Sequence, residues 1–390
     1  MMKPSVRNNR RAFRVIFFTL LSLLALSRAD HFYQQAFGGF AWDFAINRTA
    51  AQGMLNGVSL YDRAALHQLA IDHIADQNSE KLFNGRFTSF VGLPTTAMLH
   101  LPFALMSFEN SVLWYRVCSA LAMLLSVFLV GCAVPPAQRS MAWLTGFVCL
   151  LLWNACSFSL RLGQVDAWVM LSVAATVLAI NRKKWVWAGL AVSLAVVLKI
   201  SPAWLLVYCL IKRQWRFFFS ASVCVVMSLL LSAWLSADDD VYRFFSVILP
   251  SLGDSPIHPQ NQSLGAGLAR LFAVDNNLLS FATGIGGWKL VGIAVAAALL
   301  VIRCAREHNM QRVSLEGVGV MILCALIAGP LTWDHYIAWA IIPVVLLAAR
   351  ISGWQWLALI VVLLPMCFPV PYPKPDEVAA HAVWRVLVMT

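Results

Sequence analysis

The chain has 390 residues, of which 60% are hydrophobic and only 12% charged, with a mean hydropathy of +0.74. Soluble domains carry about 25% charged residues, so this composition excludes an ordinary soluble enzyme. It leaves a polytopic membrane protein with room for roughly ten to twelve spans of about 20 residues. The net charge of +11 does not indicate a nucleic-acid partner, because Lys and Arg cluster at segment ends, as the positive-inside rule expects. The nine cysteines are scattered singly in or beside apolar segments, without metal-ligand or disulfide spacing.

In chain order, residues 1–12 are a basic tail expected in the cytoplasm. Residues 13–28 are apolar and expected to leave it; a cleaved signal peptide ending near Ser27-Arg28-Ala29 is the competing reading. Residues 29–90 read as a long first extracytoplasmic loop. Within it, Ala45 to Leu55 and Arg63 to Ile74 mix apolar and polar residues at helical spacing, which predicts short interfacial helices. Apolar segments follow at about 91–107, 112–133, 141–159, 164–180, 185–199, 202–212, 217–235, 278–302, 313–331, 336–350 and 353–370.

From Asn181 onward the charges fit one topology. Arg182 to Lys184, Lys212 to Arg216 and Arg303 to Arg312 fall inside; the linker near Lys199 to Pro202, a second outer loop at 236–277 and the turn at 329–335 fall outside. Before Asn181 an odd number of crossings is needed, so one segment is re-entrant or interfacial. The candidate is 91–107, which Pro94, His100 and Pro102 interrupt. Segments 185–199 and 202–212 are short and read as two half-helices meeting at Lys199-Ile200-Ser201-Pro202. The fold class is therefore all-α, a polytopic membrane helical bundle with one membrane domain over 13–370. Residues 371–390 form a tail with no assignable place.

Five polar motifs interrupt this apolar chain, and the topology puts all five at its outer face. In Trp42-Asp43-Phe44 a carboxylate sits between two rings just past a membrane exit. Partial desolvation would raise its pKa and make it a better base; a helix N-cap is the alternative. Lys199 lies inside an apolar run, where an ionisable residue marks a functional site unless it snorkels to the interface. Arg161-Leu162-Gly163-Gln164-Val165-Asp166 puts a cation, an amide and an acid at a glycine turn, or else an Arg161–Asp166 ion pair closing that turn. His258-Pro259-Gln260-Asn261-Gln262-Ser263, followed by Arg270, offers amides that can hold sugar hydroxyls, or a Ser263 N-cap with solvated neighbours. The turn Gly329-Pro330-Leu331-Thr332-Trp333-Asp334-His335-Tyr336 brings an acid, a histidine and aromatics to an outer loop, with a structural Asp334–His335 turn as the alternative. Asp238-Asp239-Asp240 reads as a solvated segment end sooner than a divalent-metal site.

In order and spacing these motifs resemble glycosyltransferase family 87, the polyprenyl-phosphate-mannose-dependent mannosyltransferases of the GT-C fold, over roughly residues 10–370. The matching residues are Asp43 with Ala50-Ala51-Gln52-Gly53 and Gly57 to Tyr61-Asp62, the segment from Pro94 to Pro102, and Gly163-Gln164. They continue with Ala188-Gly189-Leu190 to Lys199-Ile200-Ser201-Pro202, then Asn261-Gln262-Ser263-Leu264 with Arg270, and Pro330 to His335. There are departures. Asp166 stands where the family commonly has Asn, Tyr336 follows His335, and the late turn opens Gly-Pro where Ser-Pro is commoner.

The resemblance implies a lipid-phosphate sugar donor, with mannose as the sugar on the resemblance alone, and transfer at the outer face with inversion to a lipid or glycan acceptor. It implies Asp43 as general base and Lys199, Arg270 and His335 as ligands of the donor phosphate or acceptor. Gln164, Asn261 and Gln262 would position sugar, with Tyr61, Asp62, Asp166 and Asp334 as secondary candidates. No metal or other cofactor and no nucleic acid is implied. The expected setting is a bacterial inner membrane with the N-terminus cytoplasmic. The competing functions are a transporter or flippase of polyprenyl-linked sugar and a non-catalytic membrane scaffold.

Overall fold

The computed structural model describes residues 26–85, 88–237, 239–272, 284–307, 313–351 and 355–367, together with Thr19 and Leu23. The basic tail, most of the first apolar segment and the stretch 371–390 lie outside the described residues. Within them the structure is all-α. In chain order come α1 (Ala29–Phe37), α2 (Trp42–Leu55), α3 (Arg63–His73), α4 (Pro94–Ala104), α5 (Phe108–Ala133), α6 (Arg139–Leu152), α7 (Asn154–Leu162) and α8 (Asp166–Asn181). They are followed by α9 (Trp185–Leu198), α10 (Trp204–Ile211), α11 (Trp215–Leu235), α12 (Leu264–Phe272), α13 (Lys289–Arg306), α14 (Leu315–Ala328), α15 (Ile341–Ala348) and α16 (Gln355–Leu363), with short helical turns between some of them.

Among the described residues, three stretches are long and apolar enough to cross a bilayer by themselves: Phe108–Ala133, Trp215–Leu235 and Gly286–Arg306. At about 1.5 Å per residue, each reaches across a hydrocarbon core of about 30 Å. On α11 the side chains of Phe219, Val223, Leu230 and Trp234 stand exposed, as suits a helix whose outer face meets lipid. By contrast, α8 is the hub of the main core. Val169, Met170, Val173, Ala174 and Val177 are buried on it, and α5 and α9 pack along its sides. A second core gathers α2 and α3 against α4 and α5 around Phe44, Leu66, Ala97 and Tyr115.

Two segments differ from simple spans. The segment 91–107 contains only the 11-residue α4, too short to cross; Pro94 opens it and Pro102 sits inside its last turn, and it packs against α2. The segment 141–159 divides into α6 and α7, bent by 60°, because buried Trp153 adopts extended backbone between them. The expected half-helix break is present: α9 ends at Leu198, Lys199 is extended, and a turn at Ser201–Ala203 leads into α10.

At the opposite end of α10 from Lys199, Lys212 does more than anchor topology. It is fully buried and pairs with Glu307 at 2.8 Å, which also accepts from Tyr208 Oη at 2.8 Å and Arg303 Nη2 at 2.7 Å. This network ties α10 to the end of α13.

Candidate active site

Asp43 is placed by the turn that precedes it. Arg116, buried on α5, donates from Nη1 to the Phe37 carbonyl at 2.7 Å and from Nη2 to those of Gly39 at 3.0 Å and Arg161 at 2.7 Å. One guanidinium thus joins the end of α1, the entry to α2 and the end of α7. Nothing in the local sequence around Arg116 signals this, since its partners lie more than forty residues away. The first helical residue of α2 is Trp42 and its N-cap is Ala41, with no side-chain cap. Asp43 therefore sits inside the first turn, and the N-cap alternative is set aside. A carboxylate there is favoured by the helix dipole, yet burial dominates. Its carboxyl is held above the ordinary 3.8, at about 6: desolvation by burial raises it most, the Gln164 side chain and the Lys199 charge oppose that shift, and the Asp166 charge adds to it.

Gln164 reaches Asp43 because α7 ends at Gly163 in the left-handed region, with φ 71°. The Gly163 and Gln164 amides close that turn onto the carbonyls of Leu160 and Ser159 at 3.1 and 3.0 Å. A Cβ added at Gly163 would lie 2.4 Å from Phe44 Cβ, so the glycine lets α7 and α2 touch. Gly163→Ala should destabilise the protein by roughly 1–3 kcal/mol and lower activity by displacing Gln164. Thermal melting of the purified variant checks this; an unchanged melting temperature would refute the close-contact reading.

The Arg161–Asp166 pair does not form. Asp166 is fully buried at the start of α8, and its Oδ1 receives Lys199 Nζ at 2.9 Å, while Arg161 packs its guanidinium against Gly39. Lys199 Nζ also lies 3.1 Å from the centroid of the Tyr336 ring, a cation–π contact. Asp166 Oδ2 lies 3.7 Å from His335 Nε2, and His335 Nδ1 lies 3.6 Å from Asp334 Oδ1.

The late turn owes its shape to the segment that leads into α12. Asn261 forms an antiparallel bridge with Trp333, and the Asp334 amide donates to the Gln260 carbonyl at 2.9 Å. The Asn261 side chain is spent on backbone, donating to the carbonyls of Pro256 and Pro330 and accepting from the Thr332 amide at 3.0 Å. Arg270 is buried and donates to the carbonyls of Ile257, His258 and Asn261. Gln262 donates to the Pro259 carbonyl at 2.7 Å. Ser263 accepts from the Ala266 amide at 3.1 Å, capping α12.

These groups surround a cavity of about 930 Å³. Asp43, Gln164, Lys199, Asp334 and His335 all line it, joined by Trp42, Asn47, Phe158, Gln260 and Tyr336. Leu198, Ile200, Phe244, Leu249 and Leu252 form an apolar wall. Asp166 stands directly behind Lys199. Arg270, Asn261 and Gln262 are not in the lining; their side chains brace the loop that shapes it. Tyr61 donates to the Gly92 carbonyl at 2.8 Å and so fixes a lining segment, and Asp62 caps α3 by accepting from the Ala64 and Ala65 amides. Of the acidic triplet, Asp239 pairs with Arg243 at 2.9 Å. Asp240 accepts from Ser59 Oγ at 2.6 Å and the Leu60 amide at 3.1 Å, and Asp238 lies outside the described residues. The two described acids thus serve separate partners.

The fold and the cavity define a helical membrane protein that gathers ionisable side chains from separate parts of the chain at one site. The chain belongs to glycosyltransferase family 87, whose model matches residues 90–330. It is similar to a polyprenol-phosphate-mannose-dependent alpha-(1-2)-phosphatidylinositol pentamannoside mannosyltransferase of Mycolicibacterium smegmatis, 29% identical over 243 residues, 58% of this chain and 55% of that protein. The pentamannoside enzyme of Mycobacterium tuberculosis (strain CDC 1551 / Oshkosh) is 26% identical over 318 residues, 76% of this chain and 69% of that protein. A phosphatidylinositol mannoside mannosyltransferase of Mycobacterium tuberculosis (strain ATCC 25618 / H37Rv) is 25% identical over 360 residues, 88% and 78% of the two chains. The match thus spans about half the length of the first relative. The family model begins after Asp43 and ends before His335, so the placement of those two residues rests on the geometry above.

Proposed function

We propose that this chain transfers a sugar, mannose by analogy with its relatives, from a polyprenyl-phosphate donor to a hydroxyl of a lipid or glycan acceptor at the extracytoplasmic side of a bacterial inner membrane. The observation that carries the reading is the convergence of Asp43, Gln164, Lys199 and His335, from four separate parts of the chain, on one cavity. The donor phosphate sits at Lys199 and His335, and its hydrocarbon chain lies along Leu198, Ile200, Phe244, Leu249 and Leu252. The sugar extends toward Asp43 and Gln164.

Asp43 takes the proton of the acceptor hydroxyl. The oxygen attacks the anomeric carbon from the face opposite the phosphate, the bond from that carbon to the phosphate oxygen breaks with its electron pair, and configuration inverts. The phosphate monoester leaves against Lys199. General-base help contributes roughly 10²–10⁴-fold. Holding acceptor, anomeric carbon and leaving group in line, together with the lysine charge at the departing phosphate, contributes most of the remainder.

The test is transfer of radiolabelled mannose from undecaprenyl-phosphate mannose to octyl α-mannoside by the purified protein in proteoliposomes. Time-dependent formation of a dimannoside supports the reading. Movement of the donor across the bilayer with no dimannoside formed would replace it with a flippase.

A further inference from the structure

The transfer reaction needs a cation at the phosphate, yet the cation here is already neutralised. Asp166 is fully buried, and its Oδ1 lies 2.9 Å from Lys199 Nζ. The ammonium also lies 3.1 Å from the centroid of the Tyr336 ring. The remaining carboxylate oxygen faces His335 Nε2 at 3.7 Å. Asp43 and Asp334 line the cavity with Lys199 and His335, and Asp166 stands behind the lysine, paired with it. A phosphate bound at Lys199 therefore sits within the unscreened reach of a fixed carboxylate that cannot turn away into water.

That carboxylate does not act equally on donor and product. The donor is a phosphodiester with one negative charge; the lipid phosphate released from it is a monoester that carries up to two. Repulsion scales with the product of the charges, so Asp166 disfavours the product more than the donor. Resting on the proposed transfer reaction, we propose that Asp166 is the counter-charge that weakens the hold of Lys199 on the lipid-phosphate product and so sets its release. Asp166 does not touch the reacting atoms; it acts through the charge balance at Lys199.

The experiment compares the KM for undecaprenyl-phosphate mannose with the inhibition constant of undecaprenyl phosphate, in full-length protein in nanodiscs. In Asp166→Asn the inhibition constant should fall by about tenfold, with the donor KM falling much less and kcat falling because release slows. Asp166→Glu keeps the charge and should keep the wild-type ratio of the two constants within about twofold. A merely structural Asp166 would leave that ratio unmoved in both variants. An unchanged or raised inhibition constant in Asp166→Asn, or a ratio in Asp166→Glu that falls as in Asp166→Asn, overturns the inference.

If Asp166→Asn does not fold because Lys199 loses its partner, the double variant Lys199→Gln with Asp166→Asn removes both charges. It should bind undecaprenyl phosphate more tightly than Lys199→Gln alone, and equal or weaker binding overturns the inference. If Lys199→Gln itself binds undecaprenyl phosphate as the wild type does, the phosphate does not lie at Lys199, and the proposed reaction geometry fails with it. A weakened Lys199→Gln with no tightening on removal of Asp166 sinks this inference alone.

Discussion

Replacing Asp43 by Asn should lower kcat/KM for sugar transfer by about 10²–10⁴-fold, the usual worth of a positioned general base, without unfolding the protein. Asn keeps the shape of the side chain, and Asp43 caps no helix, the N-cap of α2 being Ala41. The pH dependence follows from the same group. Its folded-state carboxyl stands at about 6, and the base works only when ionised, so the wild-type rate should rise about tenfold per pH unit up to that point and then level off. Stability runs the other way. A folded pKa raised above 3.8 means that the folded state binds the proton more tightly than the unfolded state. Stability from this group is then greatest below 3.8, falls as pH rises towards about 6, and is flat beyond. In Asp43→Asn that decline should vanish, leaving the variant at least as heat-stable as the wild type at pH 8. Retention of more than about a tenth of wild-type transfer by a folded Asp43→Asn would remove it as the base, since even a modest general base contributes about 10²-fold.

The second large effect is expected at Lys199. Lys199→Met removes the cation at the phosphate end and leaves Asp166, 0% exposed, without its partner. Breaking a buried pair on one side costs about 3–5 kcal/mol, because the remaining charge stays desolvated, whereas replacing both partners can be nearly neutral. Lys199→Met should therefore lose both transfer and stability. Lys199→Met with Asp166→Asn should regain most of the stability but not the transfer. Thermal melting and transfer assays on the single and double variants separate the two roles of the lysine. Equal melting temperatures for Lys199→Met and the wild type would mean that the pair contributes nothing to the fold, and full transfer by the double variant would dismiss Lys199 as the phosphate cation.

Much of this architecture was legible in the sequence because the membrane constrains it. Apolar runs of span length, basic segment ends and proline interruptions follow from the cost of exposing backbone and charge to hydrocarbon. That is why the Lys199 break and the interruption of segment 91–107 by its prolines are legible in the sequence. The convergence of Asp43, Gln164, Lys199 and His335 rested on each being an ionisable or amide side chain out of place among apolar neighbours. What escaped the sequence were the pairings. Asp166 meets Lys199, 33 residues away, while the nearer Arg161 turns to Gly39. The carbonyls taken up by Arg116 and Arg270 belong to the backbone, which offers the same acceptor at every residue and so leaves no mark on the sequence. Asn261 and Gln262 have the chemistry of sugar ligands, yet in the structure their amides hold carbonyls of the loop itself. Residue type specified what these side chains can bind, and only the fold assigned their partners.

The most direct measurement is the structure of the protein with undecaprenyl-phosphate mannose bound. The phosphate should lie within hydrogen-bonding distance of Lys199, the anomeric carbon should face the Asp43 carboxylate across space for an acceptor hydroxyl, and the hydrocarbon chain should leave along Phe244 and Leu249. A donor bound with its phosphate elsewhere, or with Asp43 on the same side of the sugar as the phosphate, would contradict an in-line attack assisted by Asp43.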